Sequence, residues 1–116
     1  MNNYTLTLIE NQDTNEVLKV NLLELKKAAL VLRAINHKLR QQILKLIAET
    51  QKITVTDIYI KLRLEQSVAS QHLSILRKAG FVITTREGKY IFYSVNKDRI
   101  TEINGFVNSI LQNQIL

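Results

Sequence analysis

The sequence predicts a mainly α fold carrying a small β-hairpin, α+β in class, and three observations predict it. Apolar residues recur at helical spacing in five separate stretches between residues 21 and 111. Two runs over residues 81–95 are instead rich in Val, Ile, Thr, Tyr and Phe, and they meet at Glu87-Gly88, the composition of paired strands and a tight turn. The 116 residues include no proline, so element ends are marked by caps and glycines alone.

Within an N-terminal segment of residues 1–20, residues 4–20 alternate. Tyr4, Leu6 and Leu8 lie on one side of a first run, Val17 and either Leu18 or Val20 anchor a second, and Asn11-Gln12-Asp13-Thr14-Asn15 lies between. That pattern fits a β-hairpin or a loose N-terminal arm, because a lone two-stranded hairpin is barely stable in water. From Asn21 the period becomes helical and residues 21–116 read as one domain. Asn21 is the expected N-cap, with Glu24 three residues on, and Leu22, Leu25, Ala28/Ala29 and Leu32 form a stripe to about Ile35. A second helix is predicted from about Lys38 to Glu49, with Leu39, Ile43, Leu46 and Ile47 inward and Arg40 and Lys45 toward solvent. Ile53-Thr54 makes a very short strand, and Thr54 and Asp57 cap a short helix containing Ile58 and Leu62. Arg63-Leu64-Glu65 then turns into a fourth helix, which Gly80 ends as a left-handed cap that glycine adopts at least cost. Phe81–Arg86 and Lys89–Val95 form the hairpin, with Arg86 and Lys89 flanking its tip. The last helix runs from about Asp98 to Leu111 and on to about residue 114, with Ile103, Phe106, Val107 and Ile110 on one side. Gly105 inside it costs roughly 1 kcal/mol against alanine, which a second backbone approaching closely would explain.

The fourth helix organises the rest. At roughly 100° per residue, Ala69, His72, Leu73, Leu76 and Ala79 share one arc and Ser67, Ser70, Gln71, Ser74 and Lys78 the opposite one. No acid occurs between Glu65 and Glu87, so that outer face carries short hydroxyls and an amide with nothing to repel a polyanion. Charge follows the same pattern. Of a net +6, residues 33–99 hold thirteen Lys/Arg against five acids, while residues 1–32 and 100–116 are each slightly acidic. This is the electrostatic footprint of a nucleic-acid binder.

Composition also excludes function classes. Without cysteine there is no disulfide, thiolate metal site or thiol nucleophile, and no apolar run approaches the roughly 18 residues that span a bilayer. A cytoplasmic protein is expected. No Gly-rich phosphate loop, nucleophile motif or metal cluster is present, so neither catalysis nor a cofactor is expected.

A short helix, a tight turn, a second helix with a polar face and a basic-tipped hairpin follow one another in the order of a winged helix-turn-helix. The segment Ile53 to Asn96 resembles the ArsR-type bacterial repressors through Gln66-Ser67, Ser70, His72-Leu73, Leu76-Arg77, Ala79-Gly80-Phe81-Val82, Arg86-Glu87-Gly88-Lys89 and Tyr93-Ser94. With Arg40 and Ile43-Leu44 in the preceding helix, the likeness covers residues 33–96. It implies a sequence-specific, double-stranded-DNA-binding transcriptional regulator, a homodimeric repressor on an inverted repeat, that dimerises through its first and last helices, about 21–35 and 98–114. Independently, those helices carry more apolar surface than one stripe can hide, and Leu22, Leu25, Ala29, Leu32, Ile103, Phe106, Val107 and Ile110 are the expected interface. Three departures stand out. Arg63 replaces the family's usual turn glycine and Glu65 its common serine cap; His37-Lys38 stand where Asp-Pro is usual; and the family's sensor ligands are missing, leaving Asp98 and Glu102 on the last helix without a histidine. No metal is therefore expected, and the resemblance names no effector.

Ser67, Ser70 and Gln71, flanked by Gln66 and Ser74, are the expected major-groove contacts, since glutamine pairs bidentately with adenine and serine serves as donor or acceptor. Arg86 and Lys89 on the wing, with Arg77 and Arg40, are the expected backbone contacts, and Lys45, Lys52 and Lys61 weaker candidates. His72 lies toward the packed arc and reads as structural, as do Tyr90, Phe92 and Tyr93 on their strand. The competing reading is a winged-helix protein-interaction module whose basic surface is incidental.

Overall fold

The computed structural model describes residues 4–112, in two compact units that divide between Arg33 and Ala34. The division expected at residues 20 and 21 lies inside the first unit. Residues 1–3 of the expected N-terminal arm and residues 113 and 114 of the expected last helix lie outside the described residues.

In the first unit, β1 (Thr5–Asn11) and β2 (Glu16–Asn21) form an antiparallel hairpin. Its polar turn is tied by Asn11, whose Oδ1 accepts from the backbone N–H of Asp13 at 2.9 Å and of Thr14 at 3.3 Å. The alternation expected for β1 fails at one residue. Thr7 pairs with Lys19 and Ile9 with Leu18, so Leu8 is a bulge and drops out of the ladder. Ile9 takes the place expected of Leu8, and Leu6, Ile9, Leu18 and Val20 share one face. Asn21 ends β2 and caps α1 (Leu22–Ile35). Its Oδ1 accepts from the Glu24 N–H at 3.0 Å while its Nδ2 donates to Glu24 Oε1 at 2.8 Å, so residue and cap secure each other. The helix keeps much apolar surface in the open: Leu25 is 57% and Leu30 52% exposed.

The second unit continues through α2 (Lys38–Thr50), β3 (Ile53–Thr54), α3 (Val55–Lys61), α4 (Gln66–Lys78), β4 (Val82–Glu87), β5 (Tyr90–Val95) and α5 (Lys97–Leu111). The three strands form one sheet in the order β3-β5-β4. Ile43 and Ile47 of α2, Ile58 of α3, and Ala69, Leu73 and Leu76 of α4 meet Phe81 and Val82 in the core. Fully burying each of the larger side chains contributes about 1.5–3 kcal/mol. Phe81, expected to open a strand, instead lies in the connection after α4, where its N–H bonds the Leu76 carbonyl and its carbonyl accepts from Asn96, both at 2.9 Å. The burial of its ring, not strand pairing, fixes it there.

Caps set the remaining ends. Thr54 accepts from the Asp57 N–H at 3.3 Å to start α3. Asn96, two positions before the expected start, caps α5 by accepting from Arg99 N–H at 3.2 Å, and Asp98 sits within the first turn. None of the described residues of α5 is buried; Ile103 and Val107 are half-covered and line an apolar cleft of about 350 Å³ with Ile35 and Ile100, whereas Phe106 and Ile110 are 46% and 50% exposed. Within the protomer, apart from its own turn of helix, no described atom lies within 4 Å of where a Cβ on Gly105 would sit.

Candidate nucleic-acid interface

The face of α4 separates as its sequence pattern dictates. Ala69, Leu73, Leu76 and Ala79 are buried, while Gln66, Ser67, Ser70 and Gln71 are exposed and Ser74 is half-covered. At its start the Glu65 carboxylate makes no capping bond, so the helix stands on packing there. Ahead of it, Arg63 holds a φ of 56° in the turn from α3, the left-handed conformation that glycine adopts at least cost. The other end is closed more firmly. Arg77 and Lys78 complement the helix dipole in its last turn, and Gly80, at φ 87°, lets the chain reverse.

A residue that sequence reasoning missed holds that end. Arg99 of α5 donates from Nε to the Ala79 carbonyl at 3.2 Å and from Nη1 to Glu102 at 2.6 Å. A Cβ on Gly80 would lie 3.2 Å from Arg99 Nε, so the glycine serves both the turn and this contact. Nothing local in the sequence marks a tie spanning 20 residues.

Arg40 requires a correction. Expected toward solvent and on DNA, it is 7% exposed, with Nε donating to the Ala34 carbonyl at 2.6 Å and Nη1 lying 3.2 Å from His72 Nδ1. A guanidinium has no lone pair to accept with, so His72 Nδ1 is the acceptor and the ring is neutral, its proton on Nε2. Arg40 thus braces α4 against α2 and the end of α1 from within. His37 completes the group: its Nδ1 caps α2 by accepting from the Arg40 N–H at 3.4 Å, and its ring centroid lies 5.0 Å from that of His72. Burial first, then the charges of His37 and Arg40, hold His72 below its ordinary pKa of 6.5. His72 is structural, as its place on the packed arc suggests.

Register settles which side of the wing faces α4. Thr84 pairs with Tyr93 and Arg86 with Ile91, so these four side chains share one face, continuous with buried Val82. Thr84, Ile91 and Tyr93 line a cleft with Ser70, Ser74 and Arg77, so this is the α4 side and Arg86 lies on it, one step nearer the tip. The opposite face carries Tyr90 and Phe92, with ring centroids 6.4 Å apart. There Lys52 sits 4.9 Å from the Phe92 ring and pairs with Glu87 at 2.6 Å, which removes it from the free cations near the wing. Lys89, at the tip, reaches over Tyr90 at 5.4 Å. Exposed Arg77 therefore lies beside the polar face of α4 and Arg86 on the same side of the wing, whereas Lys89 reaches over Tyr90 on the opposite face and Arg40 is buried. Among the described residues no group of three or more His, Asp or Glu could hold a metal ion, and no helix is long and apolar enough to cross a membrane.

Known proteins are similar to this chain in sequence and fold. The family described as bacterial regulatory protein, arsR family, matches residues 37–84. An uncharacterised HTH-type transcriptional regulator of Methanocaldococcus jannaschii is 39% identical over 85 residues, covering 73% of this chain and 96% of that protein. The chain belongs to the ArsR family. This ArsR-family protein is also similar to the transcriptional activator HlyU of Vibrio cholerae, 33% identical over 85 residues that cover 70% of this chain and 78% of HlyU. Its fold matches the crystal structure of the transcriptional repressor PagR of Bacillus anthracis with a TM-score of 0.59 and 30% identity, covering 74% of this chain and 98% of PagR. Like its relatives, the ArsR-family chain is a transcriptional regulator with a winged helix-turn-helix DNA-binding domain.

Proposed function

We propose that this regulator acts as a homodimeric repressor in the cytoplasm, without catalytic activity, on an inverted repeat. Each protomer inserts Gln66, Ser67, Ser70, Gln71 and Ser74 of α4 into a major groove, with the two grooves one helical turn, roughly 34 Å, apart. The observation that carries the reading is the exposed, carboxylate-free face of α4 beside a wing whose Arg86 lies on the same side. Dimerisation through α1 and α5 is supported by the apolar side chains these helices leave uncovered, Leu22, Leu25, Phe106 and Ile110 among them. Covering these side chains in a partner copy would remove apolar surface from water on each helix.

The test is a titration of purified protein against fragments of a source genome's upstream DNA, with random duplex as competitor and at two salt concentrations. A competitor-resistant, two-fold-symmetric footprint is expected. If the dimer neutralises about eight phosphates, log K falls against log salt with a slope near −7. Transcription from the footprinted promoter should drop on adding protein. A rise would make the chain an activator, and binding that random DNA abolishes would point to a protein partner.

A further inference from the structure

We propose that the cleft between α4 and the wing seats one phosphate of the DNA backbone, with Thr84 and Tyr93 as its uncharged donors. This rests on the DNA-binding reading above and adds two wing residues, placed between the helix and the charged tip, that the sequence pattern did not single out as contacts.

The cleft measures about 270 Å³ and is lined by Ser70, Ser74, Arg77, Thr84, Ile91 and Tyr93. Water occupies about 30 Å³ per molecule, so there is room for a phosphodiester and several of its waters. Five of the six side chains carry a hydroxyl or a guanidinium, and none carries a carboxylate. Such a set can surround an anion with donors while offering nothing that repels it.

None of these five side chains forms a hydrogen bond or ion pair with another described residue. Elsewhere in the fold the same chemistry is used internally. Thr50 returns its hydroxyl to the Leu46 carbonyl at 2.8 Å, Thr54 caps α3, and Arg99 is committed to Ala79 and Glu102. Around this cleft, donors from two elements converge without an internal partner among the described residues.

Placement also favours a phosphate over a base edge. Ser70, Ser74 and Arg77 follow one another at i, i+4 and i+7 along α4, and Thr84 stands directly across the ladder from Tyr93. The donors therefore form a corner between helix and wing. A helix lying in a groove meets the sugar-phosphate strand at such a corner, while base edges meet its outward face. Arg77 supplies the charge, and the hydroxyls supply direction.

The test combines two protein variants with a chemical change in the DNA. Thr84→Val and Tyr93→Phe remove only hydroxyls, so each should keep the wild-type melting temperature and lose about tenfold in operator affinity. Since neither alters charge, the slope of log K against log salt should stay as in wild type, whereas Arg77→Ala should lower it by about one. A series of operator duplexes is then made, each with one phosphate replaced by neutral methylphosphonate. At one position per half-site the replacement should weaken wild type and leave Tyr93→Phe no weaker than on unmodified DNA. Wild-type affinity in both hydroxyl variants, or a Tyr93→Phe loss that persists on every methylphosphonate duplex, overturns the phosphate seat while the DNA-binding reading stands. Failure of wild type to prefer its operator to random duplex overturns both.

Discussion

Arg40 stands three, four and seven residues before Ile43, Leu44 and Ile47, so helical spacing alone places it on the buried face of α2. The expectation that an arginine faces water overrode that spacing, and the structure returns it to the core. Position was legible there; chemistry misled. Removing the side chain leaves the Ala34 carbonyl and His72 Nδ1 without this donor, and Arg40→Ala should destabilise the fold by about 1–3 kcal/mol. Urea unfolding reads that loss, and any effect on DNA should track stability without a change in salt slope. The neighbouring histidine adds a pH dependence. His72 accepts from Arg40 only when neutral, and its pKa is lowered in the fold by burial, His37 and Arg40. The unfolded chain therefore takes up a proton more readily. The resulting stability is fully present above about pH 6.5 and is lost as pH falls through the lower folded value. Urea midpoints at pH 7.5 and pH 5 should differ in that direction, and His72→Gln, which keeps an acceptor but cannot titrate, should narrow the difference.

Elements were most legible where a cap marks them. Asn21, Thr54 and Gly80 each announce an end, and α1, α3 and α4 begin or stop there. The N-terminal hairpin was harder, because alternation has no symbol for a bulge and Tyr4, Leu6 and Leu8 look continuous until Leu8 leaves the ladder. A measurable consequence follows. Deleting Leu8 should restore a regular ladder with Leu6, Ile9, Leu18 and Val20 still on one face, and leave the melting temperature nearly unchanged. Deleting Lys19 from β2 should instead set Leu18 and Val20 on opposite faces and destabilise the hairpin. For α4 and the wing, the polar face was readable from Ser and Gln spacing, but the side on which the wing residues lie needed strand register, which composition does not carry. The two elements should fail differently. Ser70→Glu should reduce operator binding at least a hundredfold by placing a carboxylate against the groove. Arg86→Ala should weaken operator and random duplex alike and lower the salt slope by about one; both should leave the oligomer intact by sedimentation.

At the scale of the whole molecule, the family match begins at His37 and lies wholly within the second unit, so the hairpin and all of α1 stand outside the match. The surplus of apolar residues at both ends of the chain was visible in the sequence, and Leu25, Leu30, Phe106 and Ile110 are indeed uncovered in the protomer. What the sequence could not specify is the partner surface, because apolar excess has no address. Phe106→Glu with Ile110→Glu should give a folded monomer by sedimentation equilibrium, with operator affinity reduced by two orders of magnitude or more as the second half-site contact is lost. The stretch from Gln66 to Arg86, free of acids, has a further effect that concerns time and location. Generic affinity for duplex DNA lies at roughly 10⁻⁴–10⁻⁶ M, and a chromosome offers on the order of a million competing positions or more. Freely diffusing protein is then the minority species. The regulator travels by sliding and hopping along the chromosome, and an operator competes for it with the rest of the genome rather than with empty solvent.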